Sequence, residues 1–380
     1  MIFSFWFSIF IVIYAYFGYI VLLFILSLFK KPKDKTSDLT TEQTVTLLIS
    51  AYNEENVIER KILNSLALNY PRDLLEIVIL SDGSDDRTNQ IISQYTDKGV
   101  TLRSYERRMG KTGCLNKAAP LSKGSILVFS DANSMYDQNA IKELAKNFAD
   151  ESIGFATGVT TYISKTGRDN FDAVDIYTRI EKATKGLETK FGSCVGADGA
   201  IFAIRKSLYQ PLKDYDINDL VIPLNVIRQG YRGVQEAKAF CIEERSDGSS
   251  PEYNRQVRIA NRTIRAIFNH GYMLNPFRFG MFSFELLSHK ISKLLTPFFM
   301  VAIFLINLSI IKHGPIYGLT LSGQILFYVL AFWGYSEKYP KCLSKLVSIP
   351  YTFSLANIGI LCGWIHYLRG KSYTIWDIAR

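Results

Sequence analysis

Ser125-Ile126-Leu127-Val128-Phe129-Ser130-Asp131-Ala132-Asn133-Ser134 is the stretch whose reading decides the fold. Its four consecutive apolar residues, Ile126 to Phe129, suit a strand buried on both faces of a sheet. The run stops at an acid, a small residue and an amide. In an open α/β sheet the chain leaves such a strand at its carboxyl end, where the ligand crevice lies. Asp131 and Asn133, two apart in an extended turn, can direct their oxygens at one hard cation. Taken alone, the same residues also describe a polar strand-to-helix turn with Asn133 as a local cap. The flanking sequence has to decide.

Moving outward, the pattern repeats. Thr44 to Ser50 is a β-rich run ending at Ala51-Tyr52-Asn53-Glu54-Glu55, and Asn56 to Leu68 has helical spacing. Leu75 to Leu80 is the next strand, ending at Ser81-Asp82-Gly83-Ser84-Asp85-Asp86. Arg87 to Tyr95 is a helix opened by acids, as its dipole prefers. Val100 to Tyr105 is a third strand, and Gly110-Lys111-Thr112 opens another helix. This alternation predicts an α/β fold with a mostly parallel, doubly wound sheet. Polar clusters fall at the carboxyl ends of the first, second and fourth strands, where such a sheet places a nucleotide. A phosphate loop is excluded, because Tyr105 stands where that motif wants glycine. Gly192, Gly196 and Gly199 lack the dinucleotide spacing. Asp82 and Asp85 read equally well as caps around a glycine turn.

The 380 residues are 48% apolar, and the apolar residues gather at the two ends. Met1 to Phe29 holds no charged residue and exceeds the roughly 20 residues a bilayer span needs. No basic residue precedes it and no small-x-small site follows, so an uncleaved anchor is expected rather than a signal peptide. Lys30, Lys31, Lys33 and Lys35 come next, which by the positive-inside rule puts the middle of the chain in the cytoplasm. The net charge of +9 then calls for membrane lipids and a diphosphate-bearing ligand, with no nucleic acid partner. Protein partners are not legible. Five scattered cysteines, with no Cys-x-x-Cys pair, read as reduced thiols rather than a disulfide framework or zinc site.

Toward the C-terminus, Phe277 to Lys293 mixes Phe282, Leu286 and Leu287 with Arg278, Lys290 and Lys293, the composition of an interfacial helix. Uncharged runs follow at Leu294–Ile311, Gly314–Ser336 and Leu346–Leu368, with a lysine-rich loop from Glu337 to Lys345. Three crossings would leave the tail, Arg369 to Arg380, on the far side. A re-entrant last run would keep that basic tail on the cytoplasmic side, and both alternatives stay open. The expected organisation is an anchor at 1–29, a basic linker at 30–43, a cytoplasmic domain at 44–276, an interfacial helix at 277–293 and a membrane region at 294–380. In sum, a multi-pass protein of the inner cell membrane is expected.

The segments Ser50 to Glu55, Ser81 to Asp86, Gly110-Lys111-Thr112-Gly113-Cys114-Leu115-Asn116 and Ser130 to Asn133 occur in a telling order and spacing. With Gly196-Ala197-Asp198-Gly199-Ala200, Asn218-Asp219 and Arg255-Gln256-Val257-Arg258, the chain resembles family 2 glycosyltransferases of GT-A fold over roughly residues 45–270. The resemblance reaches toward the polysaccharide synthase branch. It implies that Ala51, Tyr52 and Glu54 cradle uridine and ribose, that Asp82 meets the base, and that Lys111 lies near base or phosphates. Asp131 and Asn133 match the Asp-x-Asp element that holds Mg²⁺ or Mn²⁺ on the diphosphate, with a neutral carbonyl in place of the second acid. Asp198 and Gly199 belong to the implied acceptor floor. Asp219 corresponds to the catalytic base, although bare sequence equally suits a helix cap. Arg255, Gln256 and Arg258 match the Gln-x-x-Arg-Trp element that closes on the diphosphate. Here Arg255 replaces the first Gln and Ile259 replaces the Trp, which removes a stacking platform for an acceptor sugar.

The implied activity is inverting hexosyl transfer from a nucleotide sugar, UDP-linked, to a lipid-linked or growing saccharide acceptor in surface polysaccharide synthesis. A processive synthase is the alternative within the enzyme class. Outside it stands a non-catalytic nucleotide-sugar-binding subunit of an assembly complex.

Overall fold

The computed structural model describes residues 1–30, 43–163, 173–244, 249–336, 340 and 343–374. Lys31, Lys33 and Lys35 of the expected linker, Cys342 and the tail beyond 374 lie outside the described residues. The quoted strand forms as Ile126–Asp131 (β4). It is flanked on one side by Val45–Ala51 (β1), Leu75–Asp82 (β2) and Val100–Tyr105 (β3), all parallel. Their apolar runs alternate between the two faces. Leu48, Val78, Leu127 and Phe129 enter one core, while Leu47, Ile49, Ile77 and Val128 enter the other. Continuous hydrophobicity is what a strand covered by helices on both sides requires.

The sheet is mostly parallel, as expected, but on the other side of β4 it takes in antiparallel pairings. The strand order is β3-β2-β1-β4-β7-β6-β8-β5, with Met135–Tyr136 (β5), Ile153–Ile163 (β6), Ile201–Arg205 (β7) and Arg232–Glu244 (β8). β7 is antiparallel to β4 and to β6, and β5 is antiparallel to β8. The reason is where β7 begins. Ile201 pairs with Ser130 at the crevice end of β4, so β7 is entered there and runs back. Phe129 and Phe202 stack across that junction, ring centres 4.5 Å apart.

Four helices are long and apolar enough to cross a membrane: Ile2–Leu28 (α1), and Met281–His313, Pro315–Tyr335 and Ser344–Leu368. From Met281 onward, the residues expected to form a separate interfacial helix instead continue into the second span through a π-helical turn at Leu287–Ile291. Gly280, with φ +56°, breaks the chain before Met281, and nothing from there to Thr296 interrupts it.

Contacts fix the direction of each helix. Phe5, Ile310 and Tyr317 cluster at the end of the bundle remote from the sheet domain. Tyr14, farther along α1, meets Ser288 at the domain end. The last helix starts with Val347 and Tyr351 against Gly334, at the domain end of the third. It finishes with Trp364 donating to the Leu294 carbonyl (3.0 Å) and Lys371 accepting from Asn261 (3.2 Å). Both its ends therefore lie toward the sheet domain. Of the two alternatives for the tail, this is the returning one, and it brings the Thr374 carbonyl up against Gly110.

Candidate active site

Asp82, Lys111, Asp131 and Asp219 are each placed by the end of a strand or the start of a helix. At the end of β1, Ala51 is buried and Tyr52 lies under the Arg108 guanidinium, 3.6 Å from the ring centre. The next turn is tied to the turn after β2. Asn53 donates to Asp85 (2.6 Å), and the Glu54 N–H donates to Thr88 Oγ1 (2.8 Å). Gly83, at φ +69°, makes that second turn possible, because a Cβ there would stand 3.1 Å from the Arg108 backbone nitrogen.

Asp82 is buried, and its two oxygens accept from the N–H groups of Met109 (2.6 Å) and Gly110 (3.0 Å). It therefore holds the start of helix Gly110–Ala118 in this structure. That helix carries Lys111 inward. Lys111 Nζ lies 2.5 Å from Asp131 Oδ1 and 3.2 Å from the Gly199 carbonyl.

Gly199 in turn faces Asp219: a Cβ at 199 would stand 3.1 Å from Asp219 Oδ2. Asp219 is in the first turn of helix Asn218–Arg228 but makes no capping hydrogen bond. Its Oδ1 is shielded from solvent and accepts nothing among the described residues. Burial pushes its carboxyl above the ordinary range, while Lys111, Lys185, Lys290 and Arg262 pull the other way. An acid so placed can take up a proton near neutrality more readily than an exposed one.

Asp198 points across the floor to β6, where it accepts from the Thr160 N–H (2.9 Å) and hydroxyl (2.8 Å). Helix Ser249–Asn269 supplies the basic face. Its Arg262 donates to the carbonyls of Tyr215 (3.1 Å) and Asp216, just ahead of Asp219. Arg258 lies close enough to Arg262 for the two charges to oppose each other. Arg255 pairs with Glu252 at 3.1 Å. Gln256 is turned away from this group: it donates to Glu252 (2.6 Å) and packs on Gly359 of the last membrane helix. Thus Lys111, Asp131, Gly199 and Asp219 form one contiguous set, and Asp82 supports it from behind.

Sequence reasoning missed several residues here. Glu243 on β8 accepts from Ser134, next to Asn133, and burial together with Asp131 pushes its carboxyl to about 7. Lys61 is fully buried, donates to the Ser134 carbonyl, and is brought down to about 7 by that burial. Glu181, Lys185 and Glu188 line one face of helix Ala173–Phe191 (α6) beneath the floor. Their spacing of four and three was visible in the sequence, since it marks one helical face.

Residues 46–212 match the family model described as Glycosyl transferase family 2. The chain carries a family 2 glycosyltransferase domain. That glycosyltransferase domain is 28% identical over 199 residues to a "Probable glycosyltransferase YdaM" of Bacillus subtilis (strain 168), covering 49% of this chain and 47% of that protein. It is 26% identical over 221 residues to a "Poly-beta-1,6-N-acetyl-D-glucosamine synthase" of Staphylococcus aureus (strain MSSA476), covering 57% and 52% respectively. The chain thus spans about half the length of the curated relatives it matches. Among solved structures, a mannosyltransferase from Pyrobaculum calidifontis, in complex with GDP-Man and Mn²⁺, superposes with a TM-score of 0.72 at 20% identity. The superposition covers 97% of this chain and 100% of that one. The glycosyltransferase domain and its membrane helices therefore share one GT-A-type architecture with that structure.

Proposed function

We propose that this chain moves a sugar, with inversion, from a nucleotide sugar (UDP-linked) to a hydroxyl of a lipid-linked or growing saccharide at the cytoplasmic face of the cell membrane. The observation that carries the reading is Asp219: a shielded, raised carboxylate with an unengaged oxygen, facing Gly199 and joined through Lys111 to Asp131. In this role Asp219 accepts the proton of the acceptor hydroxyl as that oxygen attacks the anomeric carbon. Lys111, within reach of both Asp131 and the floor, neutralises charge on the departing diphosphate, and Arg258 and Arg255 add to it from the basic helix. No covalent intermediate on the protein is required.

Asp131 and Asn133 would hold a divalent cation, Mg²⁺ or Mn²⁺. Both offer hard oxygen donors. Among the described residues no group of three or more His, Cys, Asp or Glu could hold an ion alone, so the diphosphate has to supply further ligands. Bound there, the cation would act as a Lewis acid on the diphosphate oxygens.

A lipid-linked acceptor is supported by an apolar groove of about 610 Å³ between α1 and α6. Ile20, Val21 and Phe24 line one wall, Gly186 and Leu187 the other, with Lys190 beside them. The groove runs along the helix that leads into the floor. The missing Trp after Arg258 argues for short additions over a processive polymer.

The test is a screen of UDP- and GDP-sugars with purified full-length protein, reading metal-dependent nucleotide release. Release that EDTA abolishes and Mn²⁺ or Mg²⁺ restores is the expected result. Binding of nucleotide with no release from any donor would favour a non-catalytic subunit instead.

A further inference from the structure

We propose that Glu188 is the positioning residue of the acceptor floor, and that the membrane helices set the floor's place through it. The inference rests on the transferase reading above, because it takes the segment that begins at Gly196 to be that floor. Glu188 is fully buried. Its Oε2 accepts from the Val195 N–H (2.9 Å), the residue that leads into the floor. Its Oε1 accepts from the Tyr19 hydroxyl of α1 (2.9 Å) and faces His289 Nδ1 of the second span (2.7 Å). One carboxylate thereby joins three elements that are remote in sequence.

The contacts continue on both sides. His289 Nε2 faces both oxygens of Glu181 (2.9 Å each), and Glu181 also meets Lys290 (3.3 Å) and Lys293 (3.0 Å). From the same helix, Lys185 donates to the Ala197 carbonyl (3.0 Å). Ala197 then donates through its N–H to the carbonyl of Asp219 (2.7 Å). The path from Tyr19 to Asp219 is therefore an unbroken series of hydrogen-bonded groups and two short stretches of backbone. Under the preceding turn lies Glu285, also fully buried, beside Gly192.

Burying such groups is costly, and ion pairs of this kind are a weak source of net stability compared with apolar packing. What they supply is direction. A carboxylate that holds the backbone N–H at the entry to the floor fixes where the glycines Gly196 and Gly199 pass, and so how close the floor approaches Asp219. On this account the first span is a working part of the site's support, not merely an anchor.

The experiment uses the full-length protein in detergent micelles, wild type against Glu188→Gln and Tyr19→Phe. Amide hydrogen exchange is read by mass spectrometry, and transfer kinetics use whichever donor the screen identifies. Glu188→Gln should speed exchange across Cys194–Ala197 about tenfold or more, the effect of losing a hydrogen bond to a charged group. Exchange in β1, β2 and β4 should stay unchanged, kcat should fall, and KM for the nucleotide sugar should hold. Tyr19→Phe should shift the same peptide in the same direction by less. Unchanged exchange at Val195 with unchanged kcat overturns the proposal. Faster exchange throughout the sheet with a rising donor KM also overturns it, since that is general loosening. A wild-type protein that releases nucleotide from no donor would overturn the transferase reading underneath, a failure distinct from any exchange result.

Discussion

The two halves of the site are held together in different ways. In the nucleotide half, β1 to β4, polar groups are fixed by backbone and near neighbours on adjacent turns. Asp82 is tied to two successive amides, and Asn53 to Asp85 in both directions. In the acceptor half, the supporting groups meet side chain to side chain between the amphipathic helix and the membrane-length helices, as Tyr19 does with Glu188 and His289 with Glu181. The first arrangement is rigid because a doubly wound sheet dictates where its turns fall. The second depends on how Ile2–Leu28 and Met281–His313 meet one amphipathic helix. A perturbation of the membrane should therefore reach the acceptor before it reaches the nucleotide.

The largest expected effect separates the halves outright. Asp219→Asn should lower transfer by about 10²–10⁴-fold, the usual contribution of a positioned base, and leave nucleotide affinity intact. Isothermal titration with the nucleotide product alongside turnover would read both. Near-normal turnover would take Asp219 out of the reaction and remove the link between the halves.

A second variant acts on the other side. Gly83→Ala would force a side chain into a positive-φ turn against the backbone of Arg107 and Arg108. Strain of about 1–3 kcal/mol at such a position should weaken nucleotide binding by roughly tenfold or more. Amide exchange at Val195 should not change. A coupled change at both places would show that the halves are one mechanical unit.

The same division governs what the sequence disclosed. The strands of the nucleotide half were legible because each is a continuous apolar run ending at polar turn residues. The resemblance pointed to Asp131, Lys111 and Asp219, and the structure brings those three side chains into one set. The reversal of β7 was not legible, since the direction of a buried apolar strand leaves no mark on its composition. Nor was the role of Glu188, which as one acid on an amphipathic helix looks like any solvated residue until Tyr19 and His289 close over it. Gln256 shows the converse: the resemblance put it at the diphosphate beside Arg255, yet it is turned toward Gly359 by the packing of the last helix.

Titration offers a finer probe of the acceptor half. Because burial raises the Asp219 carboxyl above its ordinary range, turnover should fall on the acid side at a pH above the ordinary carboxylate value of about 4. Asp219→Asn should abolish that limb in the residual activity.

The smallest effect concerns stability and has a definite sign. A carboxyl whose folded pKa is raised favours the folded state only while protonated. Its contribution is fully present below the unfolded pKa and is lost as pH rises through the folded one. At neutral pH the wild type therefore carries a penalty for ionising Asp219 in place, softened by Lys111, Lys185, Lys290 and Arg262. Asparagine carries no such penalty. The thermal midpoint of Asp219→Asn should exceed that of wild type by about 2 °C at pH 7, and the gap should close near pH 4. A gap of opposite sign at pH 7 would mean that the surrounding cations more than compensate the burial. Asp219 would then be held as a paired structural charge, and a base with its oxygen already engaged could not serve the acceptor half as described.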